Sequence, residues 1–186
     1  MKMQEKSNQY TGWVNCLIKI AAIILIVSGC VFAGRYISAF QDKKADILEE
    51  TAMMISFMQT RLRYDCLPLL SLLRATQESG KAGSLKFVSI CIEKSENGMP
   101  FPSAWRESVE NDAELRRYIR NASAYLIRFG NDLGTTDLEG QLSCCEYYET
   151  VFRNELSDRK EHNKKYSKLY PTLGAMLGIW AAILII

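Results

Sequence analysis

Apolar residues fall into long unbroken runs at the two ends of the chain and into helical spacing between them. Residues 13–34, WVNCLIKIAAIILIVSGCVFAG, carry one charge, Lys19, set near the start, from which its ammonium can snorkel to an interface. At about 1.5 Å per residue this stretch, as a helix, is long enough to cross a bilayer core. Residues 169–186, LYPTLGAMLGIWAAILII, are uncharged and reach about the minimum spanning length. The expected division is a polar tail at 1–12, a membrane helix at 13–34, a helical domain at 35–168 and a second membrane helix at 169–186.

In the middle segment, Leu48, Thr51 or Ala52, Ile55, Met58 and Leu62 recur at spacings of three and four, one face of an amphipathic helix continuous with the first apolar run. Pro68 suits the first turn of a next helix, which Gly80 ends. Leu85, Val88 and Ile92 mark a third, closed by Gly98. PFPSAWRESV opens a short helix carrying Trp105 and Val109. Asn111 and Glu114 have capping-box spacing before a stripe through Leu115, Tyr118 or Ile119, Ala122, Leu126 and Phe129. Leu138, Leu142, Cys145, Phe152 and Leu156 continue in a last long helix, uninterrupted until Pro171. No alternating window supports a strand. The expected fold class is all-α, an antiparallel helical bundle of about five or six helices between two transmembrane helices.

The most unusual stretch is FGNDLGTTDLEGQ, residues 129–141, rich in glycine and acid. A phosphate loop requires a lysine after its second glycine, and none follows Gly134. A calcium loop requires alternating oxygen ligands and a closing glutamate, a register that Asp132, Thr136 and Glu139 do not keep. Spacing favours a turn. Gly130 is expected to stop one helix in the left-handed conformation, Gly134 to allow a second tight step, and Thr136 with Glu139 to form a capping box, with Asp137 in the first turn of the next helix. The connector is short, so the two helices must lie antiparallel.

Charge refines the topology. The chain of 186 residues has a net charge of +2, with 23 basic residues dispersed among 21 acidic ones, so nucleic acid is not an expected partner. Arg159, Lys160, Lys164, Lys165 and Lys168 precede the second apolar run, and Arg35, Lys43 and Lys44 follow the first. This bias places the middle domain in the cytosol, both termini across the membrane, and the 159–168 cluster at anionic headgroups. Gly174 and Gly178 form a G-x-x-x-G pair suited to close helix packing in lipid. A rival reading takes Val27-Ser28-Gly29-Cys30 as a lipoprotein signal, giving a lipid-anchored extracytoplasmic helical binding module, but the apolar run continues past Cys30.

The six cysteines include no C-x-x-C pair, so no zinc site is expected, and they read as small apolar residues in a reducing compartment. His162, the single histidine, lies in the charged run RKEHNKKYSK, a solvated helix face. No nucleophile with a base and a positioned acid is visible. Neither catalysis nor a cofactor is expected.

Taken together, these features resemble the stage III sporulation protein AB family of spore-forming Firmicutes over roughly residues 17–186. The resemblance rests on the pattern F-G-x-x-L-G-x-x-D-x-x-x-Q, here Phe129, Gly130, Leu133, Gly134, Asp137 and Gln141, on PFPSAWRESV at 100–109 and on the L-G-x-x-x-G of residues 173–178. The first sixteen residues extend before that family's usual start. The family is similar in turn to the F domain of type II secretion and type IV pilus platform proteins. The resemblance implies a noncatalytic component of the channel between mother cell and forespore, in the mother-cell membrane. The implied partners are a secretion-type ATPase of the same complex, other channel membrane proteins and the lipid bilayer.

Overall fold

The computed structural model describes the backbone of residues 2–166, 176 and 180, and the side chains of residues 21–161 except 23, 26, 27 and 30, together with those of 176 and 180. Among the described residues the chain is all-helical, without strands: α1 (Lys2–Asp65), α2 (Leu69–Glu78), α3 (Lys86–Glu96), α4 (Phe101–Asn111), α5 (Ala113–Tyr118), α6 (Arg120–Asp132) and α7 (Leu138–Tyr166). The chain divides into two compact units, one formed by Met1–Ala39 with His162–Ile186 and one by Phe40–Glu161.

In the first unit, α1 runs without a break through the 13–34 segment, and Ile24, Leu25, Val31, Phe32, Tyr36 and Ile37 are exposed along it. Among the described residues no helix is long and apolar enough to cross a membrane. The side chains of 13–20, and nearly all of the 169–186 segment with Gly174 and Gly178, lie outside the described residues.

The second unit holds the core. The expected stripe of α1 is buried at Leu48, Thr51, Ala52, Ile55, Met58 and Leu62, and Ile47 and Met54 join it, so α1 is covered on more than one side. The helix ends at Cys66, the one non-glycine residue with positive φ (47°) among the described residues. Two loops are closed by glycines that accept the left-handed region, Gly80 at φ 71° and Gly98 at φ 89°. At Gly98 the termination is a Schellman motif, in which Gly98 N–H donates to the Ser95 carbonyl and Met99 N–H to the Lys94 carbonyl, both at 3.1 Å. Pro100 then caps α4, with Pro102 in its first turn, and α4 buries Ala104, Trp105, Ser108 and Val109.

Two expectations are corrected here. The stripe from Leu115 to Phe129 does not lie on one helix: the backbone breaks at Ile119 (φ −128°, ψ 34°), separating α5 from α6. This break accounts for the extra helix, and it accompanies burial of Ile119 and packing of the Tyr118 ring on Phe40, 4.8 Å between centroids. The cap of α5 is also shifted by one residue. Asn111 is still inside α4, and Asp112 takes the cap position, its Oδ1 accepting from the backbone N–H groups of Glu114 (2.8 Å) and Leu115 (3.0 Å). A carboxylate at the start of a helix satisfies donors that would otherwise be orphaned. Asp112 is buried where Asn111 is exposed, so Asp112→Ala is expected to destabilise the fold by about 1–2 kcal/mol. Asn111→Ala should shift stability by no more than about 0.5 kcal/mol, and urea titration of the two variants checks the ranking.

Candidate functional site

The 129–141 motif forms the corner between α6 and α7, and Phe129, Gly130, Leu133, Gly134, Asp137 and Gln141 have distinct physical tasks in it. Phe129 is fully buried, its ring 5.8 Å from that of Trp105 and 5.5 Å from that of Tyr148, both edge-on. Edge-to-face contacts of this kind add to what burial alone contributes. Leu133 closes α6 with its N–H on the Phe129 carbonyl at 2.9 Å and is itself buried. Gly134 is the residue that turns the chain, at φ 83°, and a Cβ there would lie 2.5 Å from Leu69 Cδ1.

Gly130 works differently from expected. It belongs to α6 and does not adopt the left-handed conformation. The Trp105 indole is seated directly against it: a Cβ added to Gly130 would sit 2.0 Å from Cδ1 and 2.3 Å from Cγ of the ring. The same indole donates its Nε1–H to the Leu126 carbonyl at 2.8 Å, a bond buried from solvent and spanning 21 residues of sequence. The glycine thus makes room for an aromatic ring against a helix backbone, a close approach that any side chain would block.

The cap of α7 also departs from expectation. Asp137 rather than Thr136 is the N-cap, with its Oδ1 accepting from Gly140 N–H at 3.0 Å and its carbonyl accepting from Gln141 N–H at 2.9 Å. Glu139 makes no reciprocal cap. Gln141 takes over the task of fixing the turn, its Nε2 donating to the Thr136 carbonyl at 3.0 Å. Farther along, Tyr148 donates its hydroxyl to Asp132 Oδ2 at 2.8 Å and ties α7 to the end of α6. Burial, reinforced by the Asp132 acceptor, holds that phenol well above its usual range, so it remains a donor. Gln59 of α1 donates to the Leu142 carbonyl at 3.2 Å and secures the first turns of α7.

The basic cluster is only partly described. Arg159 pairs with Glu155 one turn earlier at 2.9 Å, and Lys160 reaches Glu49 of α1 at 2.8 Å. Lys164 and Lys165 side chains, and all of Lys168, lie outside the described residues. Beside this end, burial and the neighbouring Arg159 lower the pKa of Lys44.

Among the described residues no group of three or more His, Cys, Asp or Glu side chains converges as a metal site. Three thiols are held protonated by burial. Burial pushes Cys91 and Cys144 up to about 11 and Cys145 up to about 12, from a reference of 9.0. The folded values lie above the unfolded ones, so the stability these thiols contribute is complete below pH 9 and is lost as pH rises through 11 to 12. Alkylation with iodoacetamide near pH 8, followed by mass spectrometry, should therefore modify exposed Cys66 well before Cys91 or Cys145, which should react only on unfolding.

The corner generates a ranking of glycine substitutions. Gly130→Ala meets the rigid Trp105 ring and should destabilise by about 3 kcal/mol or more. Gly134→Ala meets the movable end of Leu69 and the left-handed penalty, together about 1–3 kcal/mol. Denaturant midpoints of the two variants measure the order, and an equal or reversed order would remove the indole seat as the dominant constraint.

Comparison with known proteins gives a family match. The family model described as stage III sporulation protein AB matches residues 19–186, which include α2 to α7, the Trp105 seat and the whole corner. No curated protein and no solved structure matches the chain. The match extends over most of the sequence, and the chain therefore belongs to the stage III sporulation protein AB family, with a role in stage III of sporulation.

Proposed function

We propose that the chain is a noncatalytic membrane platform of the sporulation channel, coupling a cytosolic secretion-type ATPase to the membrane complex between mother cell and forespore. The observation that carries this reading is the continuity of α1, a single helix from Lys2 to Asp65 whose exposed apolar residues at 24–37 lead into the buried stripe at 47–62. Exposed large apolar residues in series along one helix favour a lipid or protein environment over water. The seat of Trp105 and the capped corner support the reading as well, since a platform acts through shape and stiffness rather than through a reactive group.

In this reading both apolar segments span the mother-cell membrane, the bundle lies in the cytosol and the termini lie on the opposite side. The 159–168 cluster meets anionic headgroups, and the packing pair Gly174 and Gly178 meets other channel membrane proteins. The exposed ion pairs of Arg159 and Lys160 are individually weak, so lipid phosphates can compete for these two cations.

Co-purification from membranes of sporulating cells tests the coupling. The expected result is that the tagged chain retains the ATPase of its own complex in mild detergent. A chain that never retains it, either in detergent or after crosslinking in intact cells, would overturn the proposal.

A further inference from the structure

Charge is segregated along the α5–α6–α7 hairpin. From residue 115 to residue 131 the chain carries Arg116, Arg117, Arg120 and Arg128 and no acid. From 129 to 152 it carries Asp132, Asp137, Glu139, Glu146 and Glu149 and neither lysine nor arginine. Part of this charge is used internally: Arg117 lies over the Tyr118 ring, Asp132 accepts from Tyr148, Asp137 caps α7 and Glu149 pairs with Arg153. Arg116, Arg120 and Arg128 on one arm, and Glu139 and Glu146 on the other, are exposed and form no ion pair among the described residues.

The two unpaired arginines of α6 match the two unpaired glutamates of α7 in spacing. Arg120 and Arg128 are eight residues apart along α6, a rise of about 12 Å, and Glu139 and Glu146 are seven apart along α7, a rise of about 10.5 Å. Each arm also carries an exposed aromatic, Tyr125 (42% exposed) on α6 and Tyr147 (59%) on α7. Tyrosine and arginine are the residue types that most often anchor an interface. The two arms are neighbours, joined by the Tyr148–Asp132 bond and the Phe129–Tyr148 ring contact, so one hairpin carries a charge pattern and its complement together.

We propose that this surface docks a second copy of the chain, with the arginine arm of each copy on the acidic arm of the other in a reciprocal, twofold contact. A second copy is the occupant that the charge pattern itself supplies, and twofold pairing engages both sets at once. The contact is salt-sensitive, because exposed charges are screened over about 10 Å at 0.1 M ionic strength. This inference does not depend on the coupling proposed above, and binding of the ATPase is not its readout.

The test is the oligomeric state of the full chain in detergent micelles, measured by light scattering with the detergent mass subtracted. The wild-type chain is expected to be a dimer at about 50 mM salt and to dissociate at about 500 mM. Arg120→Glu with Arg128→Glu, and Glu139→Arg with Glu146→Arg, should each weaken self-association by about tenfold or more while retaining wild-type circular dichroism. An equimolar mixture of these two charge-reversed proteins, differently tagged, should pair again, since each arm then meets its complement. Tyr125→Ala should weaken the dimer without altering charge. A wild-type monomer at low salt, charge-reversed proteins that dimerise as tightly as wild type, or a mixture that does not pair would each overturn the proposal.

Discussion

The fold of the Phe40–Glu161 unit depends on the seating of one indole on one helix backbone. Trp105 is fully buried, with Phe87 edge-on to it at 5.2 Å, Phe101 tilted against it at 5.7 Å and Phe129 edge-on at 5.8 Å. Its N–H needs an acceptor when removed from water, and the Leu126 carbonyl meets that need. The ring can reach that carbonyl only by lying against α6, and it can lie there only because residue 130 has no side chain. One hydrogen bond and one missing methyl group thus fix how α4 packs on α6. The chain of rings continues through Phe129 to Tyr148 on α7, so the same seat sets three helices.

Much of this organisation was legible in the sequence where the cause is local. Prolines 68, 100 and 102 and glycines 80, 98 and 134 act through the φ angles of their own backbone, and each marks a helix start or a turn at the expected place. The apolar stripes of α1 and α3, and that of α7 from Leu142 to Leu156, were legible for a similar reason, since burial follows helical period when one face is covered, whereas Leu138, expected to begin the α7 stripe, is exposed at the corner. What escaped has non-local causes. Gly130 looks like a helix terminator because its neighbours are turn residues, yet its partner is Trp105 on another helix. The break at Ile119 interrupts a stripe of ideal spacing, and no proline or glycine marks it. It coincides with packing of Tyr118 on Phe40 of α1.

Both capping errors have one origin. Asn111 and Thr136 each precede an aspartate and have a glutamate three residues on, so the spacing rule points to them. In both places the next residue is the better cap. A carboxylate accepts more strongly than a neutral amide or hydroxyl and also complements the positive end of the helix dipole. The rule identified the right turn and the wrong residue, and the one-residue shift is visible only in which N–H groups the oxygen meets.

Most of the residues that make the corner look like a ligand loop, Gly130, Asp132, Gly134 and Asp137, are therefore accounted for by the fold. Asp132 faces a phenol hydroxyl, Asp137 faces the first turn of its own helix, and the Thr136 carbonyl is taken by Gln141. A loop that binds by wrapping a ligand needs such oxygens and amides turned outward and free to converge. Here the Asp132 and Asp137 carboxylates and the Thr136 carbonyl are already paired within the fold, which stiffens the corner at both ends, since Leu133 closes α6 and Asp137 opens α7. From that corner α7 leaves as one uninterrupted helix through Tyr166. If the chain acts as the platform proposed above, stiffness at the base of a long helix is the property it needs, and a pliant ligand loop in the same place would remove it.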